Sequence, residues 1–356
     1  MNEAAKIKVL VVDDSAIVRK LLTQALEAEP DIEVVGSAPD PFVARDKILS
    51  LNPDVLTLDI EMPRMDGLTF LKKLMQYRPM PVVVISSLGQ ASSRAAVEAM
   101  QFGAVEVLAK PGGPYSVGDL KKDLARKIRS AARAKVGARK PPDPALLTRA
   151  SPRHAVNLPP SSHSDAVILI GASTGGTEAI REVLLGMPAD CPPIVIVQHI
   201  PPVFSRAFAD RLDTICAMRV KEAAEHDRLS RGLALVAPGN RHMLLRRLAA
   251  GYSVTLDDGP QVCYQRPSVD VLFQSAAKLS GPGFTAAILT GMGSDGAEGM
   301  LDLKRTGAHT IAQDEQSCVV FGMPREAIRM GGVDEVVPLT RISIAILAAV
   351  SAQTAR

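Results

Sequence analysis

The chain has 356 residues, with 41 Lys and Arg against 38 Asp and Glu. A net charge of +3 is too small to draw nucleic acid by its overall field. The length exceeds one average core and suits two domains, and no apolar run approaches the roughly 20 residues of a membrane span, so a globular protein that is not membrane-inserted is expected.

Residues 1 to 125 alternate apolar runs with amphipathic stretches. KVLVVDD, DVLTLDI, PVVVISS and AVEVLAK look like buried parallel strands, with IEVVGSA a fainter one. SAIVRKLLTQALEAE, GLTFLKKLMQY and RAAVEAMQFG look helical between them. The alternation predicts a doubly wound α/β domain with a parallel sheet. The first apolar run is broken by Asp13 and Asp14 and reads as a strand, not a secretory signal.

Asp13 and Asp14 follow the first strand, and Asp59 follows DVLTL. Strand C-termini of a parallel sheet open onto one edge, where ligands bind, so three carboxylates are expected to converge there. They repel one another unless a cation neutralises them, and Mg2+ suits a few carboxylates plus waters. A carboxylate so placed can attack phosphorus and form an aspartyl phosphate. Lys110 and Ser86, each at a strand end, could hold phosphoryl oxygens. Any one of these aspartates alone could be a loop cap; the joint pattern speaks against that.

Residues 126 to 163 form an expected linker. From Lys121 to Arg153 there are eleven Lys and Arg against two Asp, Asp123 and Asp143. Such a run reads as a solvated helix end entering a flexible tether, or as a contact for an acidic partner or the neighbouring domain.

From residue 164 to 356 the alternation resumes. AVILIGA, PIVIVQH, GLALVAPG, YSVTLDD, FTAAILTG and HTIAQD predict a second α/β domain with its own sheet. Ser173 lies in GASTG, a G-x-S-x-G turn between strand and helix. That turn can expose a nucleophile, cradle an anion at a helix N-terminus or cap the helix. His199 follows PIVIV, and Asp295 follows AAILT in GMGSDGAEG. A serine nucleophile needs a base, and the imidazole needs an orienting carboxylate. The order Ser, His, Asp differs from that of α/β-hydrolases. The N–H groups of Thr174 and Met292 are candidate oxyanion donors. His199 could instead be a buried structural histidine and Asp295 a helix cap. His226, His242 and His309 are rival bases, and His242 in APGNRHM is the strongest. The four cysteines, Cys191, Cys216, Cys263 and Cys318, form no CxxC pair, so neither a zinc ribbon nor a disulfide framework is indicated, and a reduced, cytoplasmic setting is expected.

VVDDS, LDIEMPRMDG and AKPGG resemble the two-component receiver domain, which has a flavodoxin-like fold. The resemblance implies that Asp59 is the phosphoacceptor. It implies that Asp14, Asp59 and the Glu61 carbonyl bind Mg2+ with Asp13 assisting through water, and that Ser86 and Lys110 hold the phosphoryl group. Val107 stands where receivers often carry an aromatic switch residue.

IGASTGGTEAI, VQHIPP, APGNRHM, RPSVDVLF and TGMGSDGAEG resemble the Rossmann-like catalytic domain of the CheB family of chemotaxis protein-glutamate methylesterases. This implies Ser173 as nucleophile, His199 as general base and Asp295 as its orienter. The implied substrates are methyl-accepting chemotaxis receptors, whose glutamyl methyl esters are hydrolysed and whose glutamines are deamidated without a cofactor. The implied phosphodonor is a chemotaxis histidine kinase. The fusion of the two domains suggests a further expectation, that the unphosphorylated receiver covers the Ser173 edge and phosphorylation at Asp59 opens it. RPSVDVLF (Arg266 to Phe273) lies near the substrate groove or is a helix start at Pro267 and Ser268. Two other readings are a DNA-binding response regulator, which the absence of a helix-turn-helix pattern disfavours, and a phospho-switched binding module without catalysis.

Overall fold

The computed structural model describes residues 5–110, 117–137, 166–279 and 283–354. The chain divides into two compact units, Met1–Pro142 and Asp143–Arg356.

The first unit holds the strands β1 (Ile7–Val12), β2 (Ile32–Ala38), β3 (Val55–Asp59), β4 (Val82–Ser86) and β5 (Glu106–Ala109). They form one parallel sheet in the order β2-β1-β3-β4-β5. Strand order reverses between β1 and β3, and in a doubly wound fold the carboxyl ends at such a switch point form the crevice where ligands bind. β3 and β4 are buried on both faces, which is why they read as continuous apolar runs.

The helices are α1 (Ala16–Glu27), α2 (Pro41–Leu51), α3 (Gly67–Tyr77), α4 (Gln90–Gln101) and α5 (Val117–Ala132). The chain-order reading does not anticipate α2. Asp40 caps it by accepting from Phe42 and Val43 N–H, and Pro41 opens it, both ordinary start signals. Helix α5 runs past residue 125, and its basic residues are not simply solvated. Lys127 is buried 2.6 Å from Glu106, and Arg129 pairs with Glu29 and Asp31. Part of the basic run thus holds α5 to its own unit. Residues 138–163 of the expected linker, and the Pro-Gly-Gly after Lys110, lie outside the described residues.

The second unit is built on β6 (Val167–Ala172), β7 (Ile194–Gln198), β8 (Arg219–Glu222), β9 (Leu233–Val236), β12 (Phe284–Ile288), β13 (His309–Gln313) and β14 (Glu335–Val337). All are parallel, in the order β14-β13-β12-β6-β7-β9-β8. Around them lie α6 (Gly176–Leu185), α7 (Phe204–Ile215), α8 (Val269–Ala277), α9 (Ala297–Arg305), α10 (Met323–Arg329) and α11 (Leu339–Thr354).

One expectation fails here. YSVTLDD does not join the main sheet. It is β11 (Tyr252–Asp257), paired antiparallel with β10 (His242–Arg247) in a separate two-stranded ribbon. The physical reason is burial: the carboxyl ends of both strands lie at the surface, whereas a central parallel strand needs cover on both faces. No helix among the described residues is long and apolar enough to cross a membrane.

Candidate active site and phosphoacceptor site

In the first unit the sheet edge gathers the expected carboxylates. Asp13, Asp14 and Asp59 each offer an oxygen within 4.8 Å of the others. Asp13 and Asp59 are fully buried. Lys110 lies 2.7 Å from Asp59 Oδ2 and 3.0 Å from Asp13 Oδ2. Only the contact with Asp59 has hydrogen-bond geometry, so Asp13 Oδ2 is a buried acceptor without a hydrogen-bond partner.

Burial pushes the Asp59 carboxyl up to about 6; the Lys110 ammonium pulls it down and the neighbouring Asp13 charge adds to the rise. Burial alone would lower the Lys110 ammonium, but the two aspartate charges beside it reverse that and raise it. Lys110 therefore stays charged.

The turn after β3 is held from both sides. Glu61 N–H donates to Asp59 Oδ1 at 3.1 Å. Gly67 N–H donates to the Ile60 carbonyl at 2.9 Å. A Cβ on Gly67 would fall 2.0 Å from the Asp59 carbonyl oxygen, so only glycine lets the MDG segment fold back here. The Glu61 side chain is not among the clustered carboxylates: it accepts from the hydroxyls of Ser87 and Ser92. Ser86 Oγ donates to the Ser92 carbonyl at 3.2 Å and is fully buried. Val107 is buried in β5 opposite Val84.

In the second unit β6 lies between β12 and β7, so the chain ends leaving these three strands meet at one rim. The ladder continues past the strand ends. Ser173 N–H donates to the Thr290 carbonyl at 3.0 Å, and His199 N–H to the Ala172 carbonyl at 3.1 Å. Ala172 pairs with Gln198, so Ser173 and His199 begin the next rung, where neighbouring strands run about 5 Å apart. Close approach at the rim also requires Gly291, because a Cβ there would sit 2.7 Å from Ser173 Cβ.

His199 Nε2 lies 2.7 Å from Asp295 Oδ2, with both side chains buried. The other ring nitrogen, Nδ1, is buried without a hydrogen-bond partner. Asp295 does not cap α9, whose first turn follows Gly296. It sits instead at the N-terminus of α8. Ser268 Oγ donates to its Oδ1 at 2.7 Å, Asp270 N–H to Oδ1 at 3.0 Å, and Val269 N–H to Oδ2 at 2.8 Å. A carboxylate at a helix N-terminus is favoured by orphan N–H groups and the helix dipole. Burial would raise the Asp295 carboxyl, but the His199 hydrogen bond and charge, with these donors, hold it below the ordinary range. Neighbouring Asp270 moves the other way, pushed up to about 7 by burial, with the Asp295 charge adding.

Thr174 is buried at the turn before α6. Met292 is half-buried between Gly291 and Gly293, and its N–H makes no hydrogen bond among the described residues. The rival histidines stand elsewhere. His309 opens β13 at its amino end, the opposite edge of the sheet. His226 is exposed beside Glu225. Both ring nitrogens of His242 are engaged, Nδ1 by the Ser268 N–H at 3.2 Å and Nε2 by the Pro260 carbonyl at 2.9 Å.

Family models match the same two units. The model for the response regulator receiver domain matches residues 9–120, and that for CheB methylesterase matches residues 168–346. A protein of Syntrophus aciditrophicus named protein-glutamate methylesterase/protein-glutamine glutaminase 2 is 56% identical over 339 residues, 95% of this chain and 98% of its own. The chain belongs to the CheB methylesterase family. A Salmonella typhimurium protein named protein-glutamate methylesterase/protein-glutamine glutaminase is 51% identical over 350 residues, 98% of each chain. The crystal structure of the Thermotoga maritima CheB methylesterase catalytic domain is 36% identical, with a TM-score of 0.50, over 51% of this chain and 97% of that domain.

Within the CheB methylesterase unit two residues carry more than the motifs suggested. Ser268 is a helix cap, accepting from Val271 N–H, and its hydroxyl also donates to Asp295. The Pro-Ser-x-Asp opening of RPSVDVLF signals the cap but not the carboxylate it faces. Gln198 Nε2 donates to the carbonyls of Ser173 and His199 at 2.8 and 3.2 Å, bracing the turn from below. Nothing in its spacing announces that.

Proposed function

We propose that the protein hydrolyses glutamyl methyl esters, and deamidates glutamines, on the cytoplasmic helices of chemotaxis receptors, under control of phosphorylation at Asp59. The observation that carries this reading is the His199 ring: Nε2 is committed to Asp295, and Nδ1 is left free on the rung that begins with Ser173.

The chemistry runs as an acyl transfer. Ser173 Oγ bonds to the ester carbonyl carbon while its proton passes to His199 Nδ1. The N–H groups of Thr174 and Met292 receive the oxyanion, each such donor being worth about 3 kcal/mol in the transition state. The bond to the methoxy oxygen breaks, His199 returns the proton, and methanol leaves; from an amide, ammonia leaves. Water then gives a proton to His199 and attacks the acyl carbon, Ser173 departs and is reprotonated, and a carboxylate remains. Asp295 keeps its negative charge throughout, fixing the tautomer and stabilising the imidazolium.

In the receiver the carboxylates of Asp13, Asp14 and Asp59, with the Glu61 carbonyl, would hold Mg2+, whose part is to neutralise charge on the incoming phosphoryl group. The buried Asp13 Oδ2, which has an ion-pair contact with Lys110 but no hydrogen-bond partner, and three carboxylates within 4.8 Å suit a hard cation. Asp59 supplies the attacking oxygen, Lys110 pairs with a phosphoryl oxygen, and Ser86 turns its hydroxyl from the Ser92 carbonyl to another. A chemotaxis histidine kinase is the proposed donor and the cytoplasm the proposed setting.

The test is methanol release from methylated receptor membranes. Wild type releases methanol faster with a phosphodonor and Mg2+, Ser173→Ala releases none but is still phosphorylated, and Asp59→Ala loses the response to the phosphodonor. Methanol release by Ser173→Ala at the wild-type rate overturns the reading.

A further inference from the structure

His242 lies in the ribbon outside the main sheet, yet its side chain is 2% exposed and reaches the N-terminus of α8. Because the Ser268 N–H donates to Nδ1, that nitrogen carries no proton. Nε2 therefore carries it and donates to the Pro260 carbonyl. The ring is held in one tautomer and one orientation by its two partners.

Ser268, itself fully buried, continues the connection. Its N–H is one of the donors a helix N-terminus leaves without an intrahelical partner, and His242 is its acceptor. Its hydroxyl donates to Asp295 Oδ1, and the two residues after it donate their N–H groups to the same carboxylate. Asp295 Oδ2 in turn meets His199 Nε2. A continuous polar line thus runs from Pro260 through His242, Ser268 and Asp295 to His199.

We infer that His242 is a positioning residue for the esterase reaction: through Ser268 it fixes the start of α8 around Asp295, and so the orientation of the His199 ring. The inference rests on the Ser173–His199–Asp295 reading above. His242 touches no reacting atom. An apolar side chain in its place leaves a buried N–H without an acceptor, and Ser268 is then free to rotate away from the carboxylate.

The test uses the full chain with methylated receptor membranes. His242→Leu keeps the bulk and removes both hydrogen bonds. His242→Gln can still accept at one amide atom and donate at the other. The expected result is a fall in kcat of tenfold or more for His242→Leu at a KM within twofold of wild type. His242→Gln recovers most of kcat, and Ser268→Ala falls as His242→Leu does, with the double variant no worse than either. The low-field proton resonance of the His199–Asp295 hydrogen bond shifts or broadens in His242→Leu and is retained in His242→Gln.

If His242→Leu does not fold, His242→Asn carries the test, since its shorter amide cannot bridge Ser268 and Pro260 and should lower kcat tenfold at unchanged KM. The inference is overturned if the leucine variant, or the asparagine variant in its place, keeps wild-type kcat. It is equally overturned if His242→Gln is as impaired as His242→Leu, or if the resonance is unmoved. Inactivity of the wild-type enzyme on the ester would instead overturn the parent reading, so the two failures are distinct.

Discussion

His199 Nε2 and Asp295 Oδ2 are 2.7 Å apart, although 95 residues separate them in the chain. The carboxylate fills its remaining lone pairs with three donors from the start of α8. It can therefore serve only the one ring nitrogen, and the other has no hydrogen-bond partner, as the proposed role of base requires.

Asp295→Asn keeps the volume and removes the charge. The amide no longer enforces the tautomer with Nδ1 unprotonated, so kcat should fall by about a thousandfold or more, while phosphorylation of Asp59 is unchanged. Methanol release and phosphoryl incorporation, measured on the same preparation, check this.

Gly291→Ala places a methyl 2.7 Å from Ser173 Cβ and 2.3 Å from Met323 Sδ. The Ser173 turn must shift to make room. A fall in kcat of tenfold or more is expected, because sub-ångström misplacement of reacting groups is costly. Wild-type kcat in a folded variant would show that the turn tolerates the shift.

Asp59 is pushed up to about 6 by burial, and only its ionised form can attack phosphorus. Phosphorylation by a small-molecule phosphodonor should therefore decline as pH falls through about 6 at limiting Mg2+. In Lys110→Ala the lowering influence is gone and the acid limb should move to higher pH. A limb that stays put in that variant contradicts the assignment of Lys110 as the governing cation.

Asp270, raised to about 7 in the folded state, binds its proton more tightly folded than unfolded. Its contribution therefore favours folding at pH below the ordinary carboxylate range and is lost as pH rises through about 7. Asp270→Asn should leave stability near that of wild type at pH 4 and raise it at pH 8. Urea unfolding at the two pH values decides. A variant less stable at pH 8 than wild type would refute the burial argument.

Much of this was legible in the residues. Alternating apolar runs mark the strands, and residues that follow parallel strands must share an edge, so Asp13, Asp59 and Lys110 could be brought together on paper. So could His199 and Asp295. What escaped were features that depend on packing between distant elements. YSVTLDD has the apolar character of a sheet strand, but whether a strand is covered on two faces is decided by its neighbours. Lys127 and Arg129 look like solvated cations until Glu106, Glu29 and Asp31 are folded beside them. His242 looked like a rival base because its distance from a strand end suited one; only its two occupied nitrogens exclude it.

The placement of β6 between β7 and β12 bears on the life of the molecule before it leaves the ribosome. Hydroxyl and imidazole emerge early and can pair as soon as their two strands do. The carboxylate that completes them arrives about a hundred residues later and must slot in on the far side of a strand already made. On the proposed reading of the site, hydrolysis at the full rate therefore waits until β12 and the loop to Asp295 have been made, and a truncated product ending before β12 would carry Ser173 and His199 but no carboxylate to hold the ring in register.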